Sequence, residues 1–301
     1  MHTVKVRVPG TSANCGPGFD AIGIACTIYN ELELTLSRDA GVLIEIEGEG
    51  SIGIPKDDKN IACQAVRLVL DKVKSDMRGM HLKMKNDIPM ARGLGSSAAA
   101  IVAGLTAANL ATGEQLTKQQ LLEIATAMEG HPDNVAPAIF GGINVSVMSG
   151  EEVQSLKMVP PKNLYMVVAV PEFGLSTKAA RQVLPKIVPF QDAIFNVSRA
   201  SLLIGALAQG EFHLLRYALE DKLHQTYREK LIPGMQAVFK AAGDAGALGT
   251  AISGAGSCLI AFTEQNTHGI GDAMVEAFKA NGIKARFRIL EVDTEGAKKV
   301  S

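Results

Sequence analysis

The stretch PMARGLGSSAAA, Pro89 to Ala100, limits the folds open to this chain more than any other part of it. Pro89 forces an extended turn, two glycines bare the backbone, and a small-residue run then starts a helix. A turn needs one glycine or a Pro-Gly pair, so the excess of small residues has another reason. Backbone N–H groups at a helix start carry partial positive charge and lack an intrahelical partner, so a loop without side-chain bulk admits phosphate oxygens. Gly93 and Gly95 supply that access. Ser96 and Ser97 supply hydroxyls, one of which could ligate the Mg²⁺ that travels with ATP. A tight strand-to-helix turn chosen for packing would use the same residues, and the pattern by itself leaves both readings open. Two other phosphate motifs fail. A Walker loop needs Lys before the hydroxyl residue, which GLGSS lacks, and in the dinucleotide fingerprint the glycines directly follow a strand, whereas NDIPMAR intervenes here.

Periodicity places this loop in a larger plan. Val4–Val8 and Glu31–Leu36 alternate with period two, as does Val42–Ile46 before a Gly-rich turn, so the chain opens as a β-rich layer. NIACQAVRLVLDKVKS repeats apolar residues at helical spacing, and MHLKMKND alternates as the strand that feeds the glycine loop. Ser97–Ala111 predicts a helix of small side chains suited to close packing on a sheet. TKQQLLEIATAMEG predicts another, with capping-box spacing at Thr117 and Gln120 and an end marked by Gly130 and Pro132. FGGINVSVM reads as a strand. The polar, proline-bearing GEEVQSLKMVPPKN then precedes the buried-strand run LYMVVAV, which places a domain boundary between residues 1–155 and 156–301. The second half reads as strand, several helices, two short strands joined through SGAGS, a helix from about Gly269, and a closing strand ARFRILEV. That order suits the α+β class, with helices laid on a mostly antiparallel sheet.

Composition narrows the partners. The 301 residues, 47% hydrophobic and 20% charged, can bury a core and fill two domains. With 30 Lys+Arg against 31 Asp+Glu, no positive excess exists to hold nucleic acid or an anionic membrane, so any anion site is local. MHTVKVRVPG lacks the apolar core of a signal peptide, and Ala98–Ala111 is too short to span a bilayer. Cys15, Cys26, Cys63 and Cys258 are scattered without CxxC pairing, which disfavours zinc and a disulfide framework. A reduced, cytoplasmic protein is expected.

Without a Walker lysine, phosphate charge must be met by a metal, which keeps one or two carboxylates from the protein. Glu123 is the candidate, flanked by Leu121, Leu122, Ile124 and Ala125, although such a glutamate more often faces solvent. Two further stretches converge in character. PGTSANCGPGFDAIG is dense in hydrogen-bonding groups and contains Asp20, and TAISGAGSCLIAF embeds a second small-residue turn between apolar runs.

Taken together, TSANCGPGFD, PMARGLGSSAA and SGAGS resemble the three ordered motifs of the GHMP small-molecule kinases, over nearly the whole chain. EGHPDNVAPAIFGG and YREKLIP are similar to the homoserine kinases within that superfamily. The resemblance implies an N-terminal domain of the ribosomal protein S5 domain 2-like type and a ferredoxin-like C-terminal domain, with the site in the cleft between. It implies that Pro89, Met90, Ala91, Arg92, Gly93, Leu94, Gly95, Ser96, Ser97, Ala98 and Ala99 wrap ATP, and that Ser97 and Glu123 hold Mg²⁺. Asn14, Asp20, His131 and Asn134 would bind L-homoserine, with Arg181 and Arg228 on its carboxylate. Ser253, Gly254, Ala255 and Gly256 would close over the site. Asn134 stands where several relatives place an aspartate base, and an amide can orient a hydroxyl but cannot take its proton. The implied activity makes O-phospho-L-homoserine on the route to threonine, in a homodimer. A mevalonate-type kinase and a GHMP-fold binding protein without catalysis are the alternatives.

Overall fold

Alternation continues well beyond the runs that stand out in the sequence. The computed structural model, which describes residues 2–161 and 163–300, places Val4–Val8 inside β1 (His2–Ala13) and Glu31–Leu36 at the end of β2 (Ile22–Ser37). In β2, Leu32, Leu34 and Leu36 are buried, while Glu31, Glu33 and Thr35 take the more exposed side. β3 (Gly41–Gly48) and β4 (Gly79–Asn86) pair in parallel, which the crossover helix α1 (Ile61–Lys72) makes possible. α2 (Ser96–Ala111), α3 (Lys118–Glu129) and α4 (Pro132–Phe140) lead to β5 (Ile143–Ser149) and β6 (Glu152–Met158). The capping box at Thr117 and Gln120 forms, and Gly130 caps α3 with positive φ. Pro132 does more than stop α3, because its fixed φ starts α4 at the first helical position.

α2 is apolar all round and lies against β1 and β2, flanked by α1, α3 and α4. Its small residues are a packing requirement. A Cβ on Gly104 would stand 2.5 Å from the carbonyl oxygen of Ala62 in α1, so the two helix backbones meet with no room for a side chain there.

The second half holds β7 (Tyr165–Pro171), α5 (Thr177–Gln182), α6 (Phe190–Gln209), α7 (Leu215–Ala218), α8 (Gln225–Arg228) and α9 (Met235–Asp244). β8 (Gly249–Ile252), β9 (Leu259–Thr263), α10 (Thr267–Ala280), β10 (Ala285–Leu290) and β11 (Lys298–Val300) complete it. The strand order β10-β7-β9-β8 is antiparallel throughout, the order of a ferredoxin-like sheet. Val167, Ala169, Leu259 and Ala261 point to α9 and α10, while Met166, Val168, Ile260 and Phe262 join the core that runs into the first sheet. Sheet two is therefore buried on both faces, and the halves share packing.

Two features differ from the sequence reading. The polar stretch taken as a linker contains β6, which pairs along β5, so a cut after residue 155 would divide a strand of the first sheet. Its pattern hides it, since β6 buries only Val153. The chain also returns at its far end, where β11 pairs with β1 and the first sheet gains an edge.

Candidate active site

Hydrogen bonds lock the three motif loops together. Thr11 N–H donates to Leu94 O (3.0 Å), Gly254 N–H to Ala13 O (3.0 Å) and Cys258 N–H to Arg92 O (3.0 Å). Ser253 Oγ donates to Gly93 O at 2.7 Å, and Asn14 joins the first and third loops by donating Nδ2–H to Gly254 O while its Oδ1 accepts from Asp20 N–H. Glycine is required where these loops touch. A Cβ on Gly93 (φ +80°) would meet Ser253 O at 1.9 Å, and one on Gly95 (φ +68°) would meet Thr11 Oγ1 at 1.9 Å. The loops enclose a cavity of about 420 Å³.

One end of the cavity offers an anion the backbone amides of a helix start. Gly95, in the left-handed region, forms the N-cap of α2, and no side chain takes up the first amides of the helix. Residues 89–97 of the glycine loop line the cavity, whereas Ala98 and Ala99 lie in the core beneath. The Arg92 guanidinium is turned away to the carbonyls of Met90, Pro171 and Glu172, where it braces the loop.

The carboxylate beside the loop is Glu129, not Glu123. Glu123 does not line the cavity and accepts from Gln119 Nε2 on the flank of α3. Glu129, the last residue of α3, accepts from Ser97 Oγ at 3.2 Å. Six residues at 3.6 per turn put the two positions roughly 240° apart, so one helix cannot aim both at α2. Burial raises the pKa of Glu129 against the opposing influence of His131 and Ser97. Two hard oxygen donors, one of them a half-buried acid, fit a divalent metal.

The acceptor end holds opposed charges. Asp20 and Arg181 form a bidentate pair (3.0 and 2.6 Å). Arg228 is 1% exposed, and no carboxylate pairs with it among the described residues. Burial and the Arg181 charge lower its pKa to about 10, so it stays cationic at neutral pH. Asn134 accepts from Thr11 Oγ1 (2.7 Å) and donates to Asp133 Oδ1 (3.2 Å). Asp133, 1% exposed, also bonds His131 Nδ1. Burial disfavours a charged His131, but the hydrogen bond and charge of Asp133 outweigh it and raise the pKa. Asp20, His131 and Asp133 lie within 4.8 Å of one another, yet both acids are already paired, so the trio is a charge network.

Asn14, Asp20, His131, Asn134, Arg181 and Arg228 therefore reach one cavity, with Gly254 and Ala255 above; Ser253 is a buried brace, and Gly256 is not a lining residue. Sequence reasoning missed Glu129 and Thr11. The signal for Glu129 was its place directly before the GHPDN block. At the far end, Ile54, Pro55, Met84 and Met90 give an apolar wall, where Asn86 Oδ1 is buried without a hydrogen-bond partner.

The model for the GHMP kinases N terminal domain matches residues 60–142, and that for the GHMP kinases C terminal matches residues 203–284. The chain is 46% identical over 292 residues to a homoserine kinase of Moorella thermoacetica, covering 97% of this chain and 98% of the relative. It is 44% identical over 298 residues to one of Microchaete diplosiphon, covering 99% and 97%. Its structure is similar to that of a homoserine kinase from Cytophaga hutchinsonii, with a TM-score of 0.92 at 32% identity over 100% and 98% of the chains. An L. major mevalonate kinase solved with R-mevalonate shares the fold, with a TM-score of 0.73 at 20% identity over 97% and 96%.

Proposed function

Because the chain belongs to the homoserine kinases of the GHMP kinase family, we propose that its cavity transfers the γ-phosphoryl group of ATP to the side-chain hydroxyl of L-homoserine. The observation that carries this assignment is the charge set at one end of the cavity: Arg228, a buried cation with no protein carboxylate to neutralise it, beside the Asp20–Arg181 pair. A substrate carboxylate supplies the missing charge. The α2 amides and the bare loop at Gly93 and Gly95 receive the phosphates, and the apolar wall at Ile54, Met84 and Met90 receives the base.

Ser97 and Glu129 would hold Mg²⁺, in place of the Ser97–Glu123 pair expected from the sequence. Bound there, the metal would neutralise charge on the phosphates. The chain's own residues position the acceptor. Arg228 and Arg181 take the α-carboxylate, and Asp20 takes the ammonium once its pairing with Arg181 is exchanged. Asn134, fixed by Thr11 and Asp133, has one Nδ2–H left to orient the hydroxyl. The bond from that oxygen to the γ-phosphorus forms as the bond to ADP breaks. The transition state is loose, so the hydroxyl proton leaves late and an amide at position 134 suffices.

All four cysteines are free and buried, which supports a reduced cytoplasmic setting. An exposed apolar stripe at Ile187, Phe190, Ile194 and Val197 supports the homodimer. The test is an ADP-release assay with homoserine, mevalonate, galactose or no acceptor. Release above the no-acceptor rate with homoserine alone is expected; equal rates with mevalonate would overturn the assignment.

A further inference from the structure

Phosphoryl transfer asks nothing of His224, which is wholly buried, yet its ring sits directly against Arg228. Its Nε2 lies 2.6 Å from Gly16 O, an atom that only accepts, so Nε2 carries the proton. Nδ1 is then the lone-pair nitrogen and accepts from Arg228 Nη1 at 3.2 Å. The second Nη1–H goes to Gly254 O at 3.0 Å and Nε–H to Ala180 O at 3.3 Å. Nη2 alone is left without a protein partner among the described residues, and Arg228 lines the cavity. The Phe19 ring packs against the imidazole at 5.1 Å and lies 5.2 Å from the guanidinium carbons of both Arg228 and Arg181. It thereby brings one π system to two like charges.

We propose that His224 is a positioning residue whose neutral imidazole, held in one tautomer by Gly16, turns Nη2 of Arg228 towards the substrate carboxylate. The proposal rests on the assignment of Arg228 to that carboxylate. Arg228 presents one nitrogen, not its full fork, so the direction of Nη2 matters. Protonation of His224 would set an N–H against the Arg228 N–H and swing the guanidinium away. The charged groups facing the ring are Asp221, which lies 3.6 Å from Nε2, Arg228 one turn along α8, and Asp20 across the cavity. Burial and Arg228 oppose the proton and Asp221 favours it, and burial prevails, keeping the imidazole neutral at physiological pH.

Two substitutions separate the two ring nitrogens. His224→Gln can reach Gly16 but has no acceptor at Nδ1, whereas His224→Asn can place its amide oxygen there. In His224→Gln the KM for homoserine is expected to rise about tenfold or more, with kcat and the KM for ATP changed less than twofold. His224→Asn is expected to recover most of that loss. On acidification below the ordinary histidine range the homoserine KM of the parent rises more than that of His224→Asn. Homoserine and ATP constants that shift together in both variants, or an unchanged homoserine KM in His224→Gln, would overturn the proposal. If His224→Gln does not fold, His224→Asn decides alone: a homoserine KM within about twofold of the parent supports the proposal, and a rise of about tenfold sinks it. Arg228→Lys distinguishes the underlying assignment, because an unchanged homoserine KM in that variant refutes the role of Arg228 itself.

Discussion

Glu129→Gln is the sharpest perturbation of the metal-holding pair. The substitution keeps the shape of the side chain at the end of α3 and removes its charge beside Ser97, 3.2 Å away. Two unit charges about 4 Å apart interact by roughly 4 kcal/mol at an effective dielectric near 20. Loss of one preorganised electrostatic partner costs about a hundredfold to a thousandfold in turnover in comparable sites. The ADP-release assay, run as a titration in Mg²⁺, is expected to show kcat down by about that factor with partial recovery at high Mg²⁺. Glu123→Gln, on the flank of α3 and bonded to Gln119, stays within about twofold of the parent. Stability moves the opposite way. Burial raises the folded-state pKa of Glu129 above its unfolded value, so its favourable contribution is full below the unfolded pKa and is lost as pH rises through the folded one. At neutral pH the carboxylate is therefore a burden on the empty protein, and Glu129→Gln raises Tm in metal-free buffer. Full activity of Glu129→Gln at ordinary Mg²⁺, or an equal loss in Glu123→Gln, would refute the assignment of the acid.

The other expectations are simpler to test. Arg228→Lys and Arg181→Lys each raise the KM for homoserine by about tenfold to a hundredfold, the worth of a charge-assisted hydrogen bond, and leave the KM for ATP near the parent value; equal shifts in both constants would assign the arginines to the nucleotide or the fold. Gly95→Ala, with φ +68° and a Cβ 1.9 Å from Thr11 Oγ1, lowers Tm and loses about 1–3 kcal/mol of stability in urea melts. Asn134→Ala reduces turnover by about a hundredfold while the acidic limb of the kcat profile in the parent stays flat. An acidic limb that disappears in His131→Ala or Asp133→Asn, with Asn134→Ala still active, would identify a general base and defeat the positioning mechanism.

The fold was legible wherever a local rule decided it. Period-two runs gave the strands, the capping box gave the start of α3, and the Ala-rich run after the glycine loop gave a helix pressed on its neighbours, as the contact of Gly104 with Ala62 requires. β6 and β11 were not legible because an edge strand that buries one or no apolar residue carries no pattern, and its pairing is decided by a distant partner. The same limit applied to the site. The loop glycines declare themselves through bare backbone, but choosing between Glu123 and Glu129 needs the rotation of α3 about its axis relative to α2. Apolar neighbours in sequence said that Glu123 sat on a helix, and could not say which face met Ser97. Asp133, readable as a turn cap beside Pro132, is a buried acid because α4 starts there and carries it inward.

The charges at the acceptor end explain why the ammonium of the substrate matters as much as its carboxylate. Arg228 needs an anion, and mevalonate could supply one as well as homoserine does, so the arginines alone do not choose between them. Asp20 does. In the empty site it is neutralised by Arg181 through two hydrogen bonds. A carboxylate that draws Arg181 to itself strips Asp20 of its partner and leaves a part-buried acid short of a cation, which offsets much of the gain. An α-amino acid brings the replacement cation with it, on the same carbon as the carboxylate, and restores both pairs at once. A neutral sugar restores neither and leaves Arg228 uncompensated. On the proposed assignment, selectivity for the amino acid would lie in an exchange of ion pairs, with Asp20 as the discriminating residue and the arginines as its condition.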